Sequence, residues 1–115
     1  MYRKNGNLST ILHTKVERWH NILSDQENDL GQRYLQPVKV ADVWAAVIPQ
    51  TGTLLRGRVA DTTLARTTHK IVIRYDSTLE VDEWFVYNGQ RYNILYIMDP
   101  YLNHERLEVF CEVET

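Results

Sequence analysis

The chain has 115 residues, of which 43% are hydrophobic and 24% are charged, a size and composition typical of one globular domain. Its longest apolar run, residues 43–49, falls far short of the roughly 20 residues that a membrane-spanning helix needs. No basic-then-apolar signal segment opens the chain, and the single cysteine, Cys111, excludes an internal disulfide and a cysteine-rich zinc site. We therefore predict one domain over residues 1–115, made in the cytoplasm, with no membrane contact.

The charge is unevenly distributed, although the net charge is only −2. Residues 54–75 carry a net charge of +4, whereas residues 76–115 carry −7. Two bands of opposite sign can attract each other between neighbouring copies or face two different partners. They can also simply be solvated, and the sequence leaves these alternatives open.

The first half of the chain contains one clear strand and one ambiguous segment. Apolar residues between positions 8 and 19 fit helical spacing, whereas the β-branched and aromatic content of the same segment favours a strand. Residues 24–36 are polar and include Gly31, which predicts a surface loop or an open hairpin. Residues 38–48 predict a strand that ends at Pro49.

An irregular segment and a strand follow. Residues 53–67 have no clean period and contain Gly57, so we expect a mobile excursion with a turn or two of helix. Residues 68–75 predict a strand that turns Ile71 and Ile73 to one face.

The remaining strands surround a strong hairpin signal. Residues 83–87 and 91–98 are rich in aromatic and β-branched residues, and Asn88-Gly89 joins them with the dipeptide that best fits a tight hairpin turn. Residues 106–113 alternate apolar and polar side chains, which predicts a last strand. The second half therefore predicts a β-meander.

Five or six strands without a repeat or a linker predict an all-β fold. The expected architecture is a small five- to six-stranded antiparallel β-barrel or sandwich, with a long mobile loop or short helix around residues 50–67. Such a sheet must close or cover its edges, because an open edge invites pairing with another chain.

The sequence offers little support for catalysis. Its four histidines lack metal-ligand spacing, and the motifs of common nucleophile, nucleotide and metalloprotease sites are absent. Cys111 lies on the apolar face of its strand with no basic neighbour to lower its pKa, so we expect it to be buried and inert. We predict no enzyme activity, no bound metal and no cofactor.

Aromatic and basic residues raise the question of nucleic-acid binding. Trp19, Trp44 and Trp84 are expected to pack in the core, since the acidic pair 82–83 beside Trp84 disfavours stacking on bases. The excursion carries three arginines that are able to contact phosphate without reading sequence, and a solvated loop is the alternative. These arginines are Arg56, Arg58 and Arg66.

Several segments occur in an order and spacing that resemble one family, the head-tail adaptor or head closure proteins of tailed bacteriophages. They cover about three-quarters of the chain. The segments are DLGQ at 29–32, VWAAVIP at 43–49 followed by Gly52, TTHKIVIRY at 67–75, NGQRYNI at 88–94 leading into Asp99, and LEVFCE at 107–112.

This resemblance implies a fold and a role. The fold would be a small β-barrel with an N-terminal strand, which favours the strand alternative for residues 8–19. The protein would be a structural neck protein of the virion, at the head–tail joint, made in the host bacterial cytoplasm. It would assemble as a ring below the portal after DNA packaging, close the DNA channel and provide the surface for tail attachment.

Partners follow from the same resemblance, and the charge and chain position of particular residues suggest which of them would serve that role. Partners would be a portal or connector protein above, a tail terminator or tail tube protein below, packaged double-stranded DNA, and further copies in a dodecamer or hexamer. Arg56, Arg58 and Arg66 would face the DNA. The residues expected at the ring or portal contact are Arg74, Tyr75, Asp76, Glu80, Asp82 and Glu83.

Two other functions remain open from the sequence. A tail completion or tail terminator protein is also a small acidic β-domain that forms a ring. A free-standing OB-like nucleic-acid-binding barrel would instead show salt-sensitive binding of the monomer to DNA.

Overall fold

Six antiparallel strands form one closed sheet in the computed structural model, which describes residues 10–50 and 66–114. Neighbouring strands pair in the order β1-β2-β3-β6-β5-β4, and β4 pairs with β1 to complete the barrel. The strands are β1 (Thr14–Glu27), β2 (Arg33–Pro49), β3 (His69–Arg74), β4 (Trp84–Tyr87), β5 (Gln90–Met98) and β6 (Arg106–Val113).

The all-β prediction is confirmed, and the ambiguous N-terminal segment forms a strand from Thr14 onward. The predicted meander is correct only for β4, β5 and β6. β3 pairs with β2 and β6, and β4 pairs with β1 rather than with β3. The expected excursion at residues 53–67 lies almost entirely outside the described residues.

The core fills the inside of the barrel. Val16, Ile71, Phe85, Val109 and Cys111 are fully buried, and they belong to one cluster to which all six strands contribute. The predicted inward face of Ile71 and Ile73 and the predicted burial of Cys111 are confirmed. Because side chains of a strand alternate between its two faces, Val72 lies on the opposite face of β3. There it is buried against Leu12 in a second, smaller cluster.

The predicted hairpin turn between β4 and β5 is confirmed. Asn88 and Gly89 both adopt a positive φ, 54° and 78°, as a two-residue hairpin turn of this handedness requires. Tyr87 and Gln90 close the pair on either side of the turn. The turn fixes the register in which Phe85 points into the core.

A long two-stranded ribbon extends beyond the barrel. β1 pairs with β4 only through residues 17–19, and β2 pairs with β3 only from Ala45 onward. Between these contacts and the turn at residues 28–32, β1 and β2 pair with each other. We call residues 20–38 of this ribbon the arm; of the two alternatives predicted for residues 24–36, the open hairpin matches the structure.

The three tryptophans do not share one environment. Trp84 is buried, with the Arg91 guanidinium 3.9 Å from its ring centre. Trp19 is half-buried and donates a 2.9 Å hydrogen bond to Glu17. Trp44 is 54% exposed, so its predicted place in the core is wrong: Ala45, the next residue of β2, is the one that points inward.

No helix within residues 10–50 and 66–114 has the length and apolar character needed to cross a bilayer.

Candidate interaction surfaces

A buried arginine fastens the connection between β3 and β4 to the side of β1. Arg18 is 6% exposed, and its guanidinium grips Glu83 with two hydrogen bonds, 2.6 Å from Nε to Oε1 and 3.1 Å from Nη2 to Oε2. Its Nη1 donates a third hydrogen bond of 3.0 Å to Asp76 Oδ2. This two-pronged geometry is the one for which an arginine is suited and a lysine is not.

Polar groups of the loop of residues 75–83 complete the arrangement around Arg18. The Thr78 backbone N–H and hydroxyl both donate to Asp76 Oδ1, and the Thr78 carbonyl accepts from Arg18. The hydrogen bond from the Thr78 side chain is the main cause that lowers the pKa of Asp76, with a contribution from Arg18. The hydrogen bond to Glu83 is the main cause that raises the pKa of Arg18.

This network divides the acidic residues that the sequence proposed as a contact. Glu83 is 5% exposed and Asp76 is half-buried, and both are occupied by Arg18. Glu80 and Asp82 are exposed, on either side of Val81, which is 53% exposed. The structure thus brings the acidic residues into one loop but gives them two roles: two hold the loop in place and two face outward.

A second loop lies at the same end of the barrel. The Tyr75 N–H donates a 3.1 Å hydrogen bond to the Glu105 carbonyl, and the centres of the Tyr75 and His104 rings are 4.5 Å apart. In this loop Tyr101 and Leu102 are 91% and 78% exposed. Both have a positive φ, a backbone conformation that costs free energy for residues of this size.

The arm leaves the barrel at this same end. Trp19 of β1 pairs with Trp84, the first residue of β4, and β1 then continues into the arm. We call this end of the barrel, with residues 75–83 and 99–105 and the base of the arm, the loop end. Large apolar side chains are exposed along the arm: Ile22, Leu23, Leu30, Tyr34 and Leu35.

An apolar groove with a basic rim lies on the outer side of β2. Leu12, His13, Trp44 and Arg74 line an open groove of about 350 Å³. The ammonium group of Lys15 lies 5.4 Å from the centre of the Trp44 ring, within the range of a cation–π interaction. We call this feature the Trp44 groove; it joins an exposed indole to positive charge.

Of the three arginines predicted to face DNA, the structure describes one. Arg66 Nη2 lies 2.9 Å from Glu112 Oε1, and both side chains are solvent-accessible. An exposed ion pair of this kind contributes little to stability and exchanges readily for another partner. Arg56 and Arg58 lie outside the described residues.

Comparison with known protein families identifies the family to which this chain belongs. The sequence profile described as "Phage head completion protein" matches residues 13–114. The chain belongs to the phage head completion protein family. A search of curated proteins finds no significant match. Family membership gives this head completion protein a structural role in the phage head, and such proteins are not usually enzymes.

Solved structures share the fold of this head completion protein. Protein SF1141 from Shigella flexneri 2a is similar with a TM-score of 0.67 and 19% identity, covering 88% of this chain and 91% of that one. A chain of the virion of the native gene transfer agent particle is similar with a TM-score of 0.58 and 15% identity, covering 87% and 92%. At these identities the likeness concerns the fold.

Among the described residues, this head completion protein has no metal-binding cluster, and burial shifts the pKa of two of its titratable side chains. Within residues 10–50 and 66–114, no group of three or more histidine, cysteine or acidic residues is placed to hold a metal ion. Burial raises the pKa of the Cys111 thiol to about 12, which leaves it protonated and unreactive near neutral pH. Burial also lowers the pKa of His69, whose ring packs edge-on against Tyr92.

Sequence reasoning missed two features of this surface. Arg18 and Glu83 are 65 positions apart, so no local pattern joins them. The sequence did carry one signal. Arg18 lies two residues after Val16 and so on the same, inward face of the strand, where an arginine needs a buried partner. The exposed apolar side chains of the arm were missed because the polar residues between them dominate its composition.

Proposed function

We propose that this protein is a neck component that assembles as a ring below the portal after DNA packaging, closes the DNA channel and provides the surface on which the tail attaches. The observation that carries the proposal is the family match, which spans residues 13–114. The partners are then a portal or connector protein above, a tail terminator or tail tube protein below, and further copies in a dodecamer or hexamer. The site of action is the head–tail joint.

The loop end supports a role in contact between proteins. Exposed apolar residues such as Val81, Tyr101 and Leu102 lie there beside the exposed acids Glu80 and Asp82, a mixture that suits a protein interface with a polar rim. We assign the ring or portal contact to the exposed members of the predicted set, Arg74, Tyr75, Glu80 and Asp82. Asp76 and Glu83 support that contact from beneath by fixing the loop to Arg18.

We further propose that Arg56, Arg58 and Arg66 face the DNA channel. Phosphate contacts need positive charge and reach but no sequence-specific geometry. The ion pair of Arg66 with Glu112 is exposed and therefore inexpensive to exchange for a phosphate. A net charge of −2 over the whole chain means that such contacts would act locally, within the assembled ring.

The test is to silence this one gene in its phage or prophage, examine the particles by electron microscopy and assay the DNA content of the heads. Expression of the unaltered chain in trans is the control and should restore normal virions. We expect heads that package DNA and then lose it, beside complete tails that are not attached.

The other outcomes would contradict the proposal in different ways. Full, stable heads beside defective tails would move the protein to the tail completion or tail terminator function. Normal virions would remove the neck assignment. Tight, salt-sensitive binding of the purified monomer to DNA, together with normal virions, would favour a free-standing nucleic-acid-binding barrel.

A further inference from the structure

Two exposed apolar surfaces of this chain lie far apart on the molecule. One is the arm, where Leu23 and Leu35 face each other across the two strands, both about 60% exposed, and Leu30 at the turn is 82% exposed. The other is the Trp44 groove. A two-stranded ribbon with no sheet behind it is only marginally stable in water, and exposed apolar surface of this extent marks a contact.

The arm cannot fill the groove of its own molecule. His13 immediately precedes β1, while the tip of the arm lies beyond the far end of that strand. Fourteen strand residues span roughly 45 Å at the usual rise per residue, and the two strands remain paired as far as Glu27 and Arg33. The 56 Å length of the molecule, against 34 Å and 28 Å in the other directions, agrees with this separation.

The two surfaces are complementary in charge as well as in apolar character. Residues 20–38 carry Asp25, Glu27 and Asp29 against the single positive charge of Arg33, a net charge of −2. The groove presents Arg74 together with Lys15 beside the indole. An acidic, leucine-bearing tip therefore fits a basic, indole-lined groove, and opposite charges of this kind orient two chains as they meet.

We infer that the arm of one copy docks into the Trp44 groove of a neighbouring copy. Because the two surfaces differ, the contact is head-to-tail, and repeating it generates a ring where the rotation between copies closes. The inference rests on the proposed ring assembly and goes beyond it by naming the two surfaces that meet. Leucines at the tip bury against the Trp44 ring, and the acids around them face Lys15 and Arg74.

The test is site-specific photo-cross-linking in assembled particles. A benzophenone amino acid replaces Leu30, and the variant complements the silenced gene. A matched control carries the same group at Leu102, which is also highly exposed but lies in the loop of residues 99–105. We expect the Leu30 probe to give an adduct at twice the chain mass whose cross-linked peptide contains His13 or Trp44, and the Leu102 probe not to give this peptide.

A second variant tests the charge and the indole of the groove. Trp44→Glu places a negative charge opposite an acidic arm, and Trp44 is exposed enough for the fold to tolerate the change. We expect the Leu30 adduct to fall at least tenfold in this variant. Tyr96→Glu, a control at an exposed aromatic residue of β5 that lies in neither the groove nor the loop end, should leave the adduct unchanged.

The outcomes separate this inference from the proposed function. The same cross-linking is carried out on concentrated purified protein, and the amount of protein in particles is measured by mass spectrometry. Protein present in particles whose Leu30 probe reacts with a portal or tail protein, with its own residues 1–9, or elsewhere on a second copy would overturn the inference and leave the neck function standing. An arm-to-groove adduct in the purified protein, with none of the protein in particles, would support the inference and overturn the neck function.

Discussion

At the scale of single residues, the arrangement around Arg18 explains how a loop rich in acidic residues is held against a barrel. A guanidinium that is 6% exposed has lost most of its hydration, and this loss is offset only if its hydrogen bonds are made. Arg18 makes them to Glu83, Asp76 and Thr78, and no buried side-chain nitrogen or oxygen among the described residues lacks a partner. The connection from β3 to β4 is therefore held to β1 near both of its ends.

Removing this guanidinium should destabilise the fold strongly. Arg18→Met leaves the carboxylate of Glu83 buried without its counter-charge, a change that costs about 3 kcal/mol or more. Urea unfolding followed by tryptophan fluorescence would measure the loss. Arg66→Met, which removes the exposed ion pair with Glu112, is the matched control and should change stability little.

A double variant separates charge from packing at this position. Replacing both partners, Arg18→Met with Glu83→Leu, should recover part of the loss, because no buried charge then remains. A single Arg18→Met variant as stable as the parent would show that the buried pair contributes nothing.

The effect of pH follows from Asp76. Its pKa is lowered in the folded protein, so its contribution to stability is present above its ordinary pKa of 3.8 and is lost as pH falls through the folded value.

At the scale of secondary-structure elements, the arm has the least support from neighbouring strands among the described strands. Its strands pair with each other along residues that neither β3 nor β4 covers. Its turn is well formed, since Asn28 Oδ1 accepts 2.9 Å hydrogen bonds from the N–H groups of Leu30 and Gln32. Because the arm has a well-formed turn but no further strand beside it, we expect it to become fully ordered on contact with a partner.

Hydrogen exchange should report this difference directly. In the purified monomer, we expect backbone amides of residues 20–38 to exchange much faster than those around Ile71 and Val109 in the core. In assembled particles the exchange in residues 20–38 should slow. Arm amides as strongly protected in the monomer as those of β3 and β6 would contradict the view that the arm is only marginally stable alone.

The strands differed in how readily they could be predicted. β6 was predicted with its observed bounds, because strict alternation around Leu107, Val109 and Cys111 leaves one interpretation. β1 was ambiguous, since the spacing of its apolar residues fits a helix as well as a strand. The length of β2 was underestimated, because most residues before Val43 are exposed and carry no pattern set by a core.

The order of the strands was harder still, because it depends on contacts between distant residues. Adjacency in sequence favoured a β3–β4 pair, whereas the Arg18 network brings β4 to β1. The surfaces show the same limit. The position of the acidic loop followed from the sequence, but which of its acids face outward depends on a partner 65 positions away.

At the scale of the whole molecule, charge is separated along the chain more than its net value of −2 suggests. Residues 54–75 carry a net charge of +4 and residues 76–115 carry −7. Where the structure describes both segments, two ion pairs join them, Arg66 with Glu112 and Lys70 with Glu108. The proposed channel-facing arginines belong to the positive segment.

Reversing these charges should impair DNA retention without unfolding the domain. A variant with Arg56→Glu, Arg58→Glu and Arg66→Glu should remain folded by circular dichroism and enter particles, whose heads then lose DNA. Lysine at the same three positions keeps the charge and is the matched control, with retention close to normal, since non-specific phosphate contact needs charge rather than a particular side chain. Normal retention in the glutamate variant would contradict the proposed channel role.

Closure of the sheet has a consequence for how the protein folds. The contact that completes it, between β1 and β4, joins residues separated by more than half of the chain, and such closures form slowly because much chain entropy is lost before the contact is gained. The same closure leaves the barrel with no free edge from which strands detach one at a time. Slow unfolding, rather than a large equilibrium stability, is therefore what a closed sheet gives to a domain of this size.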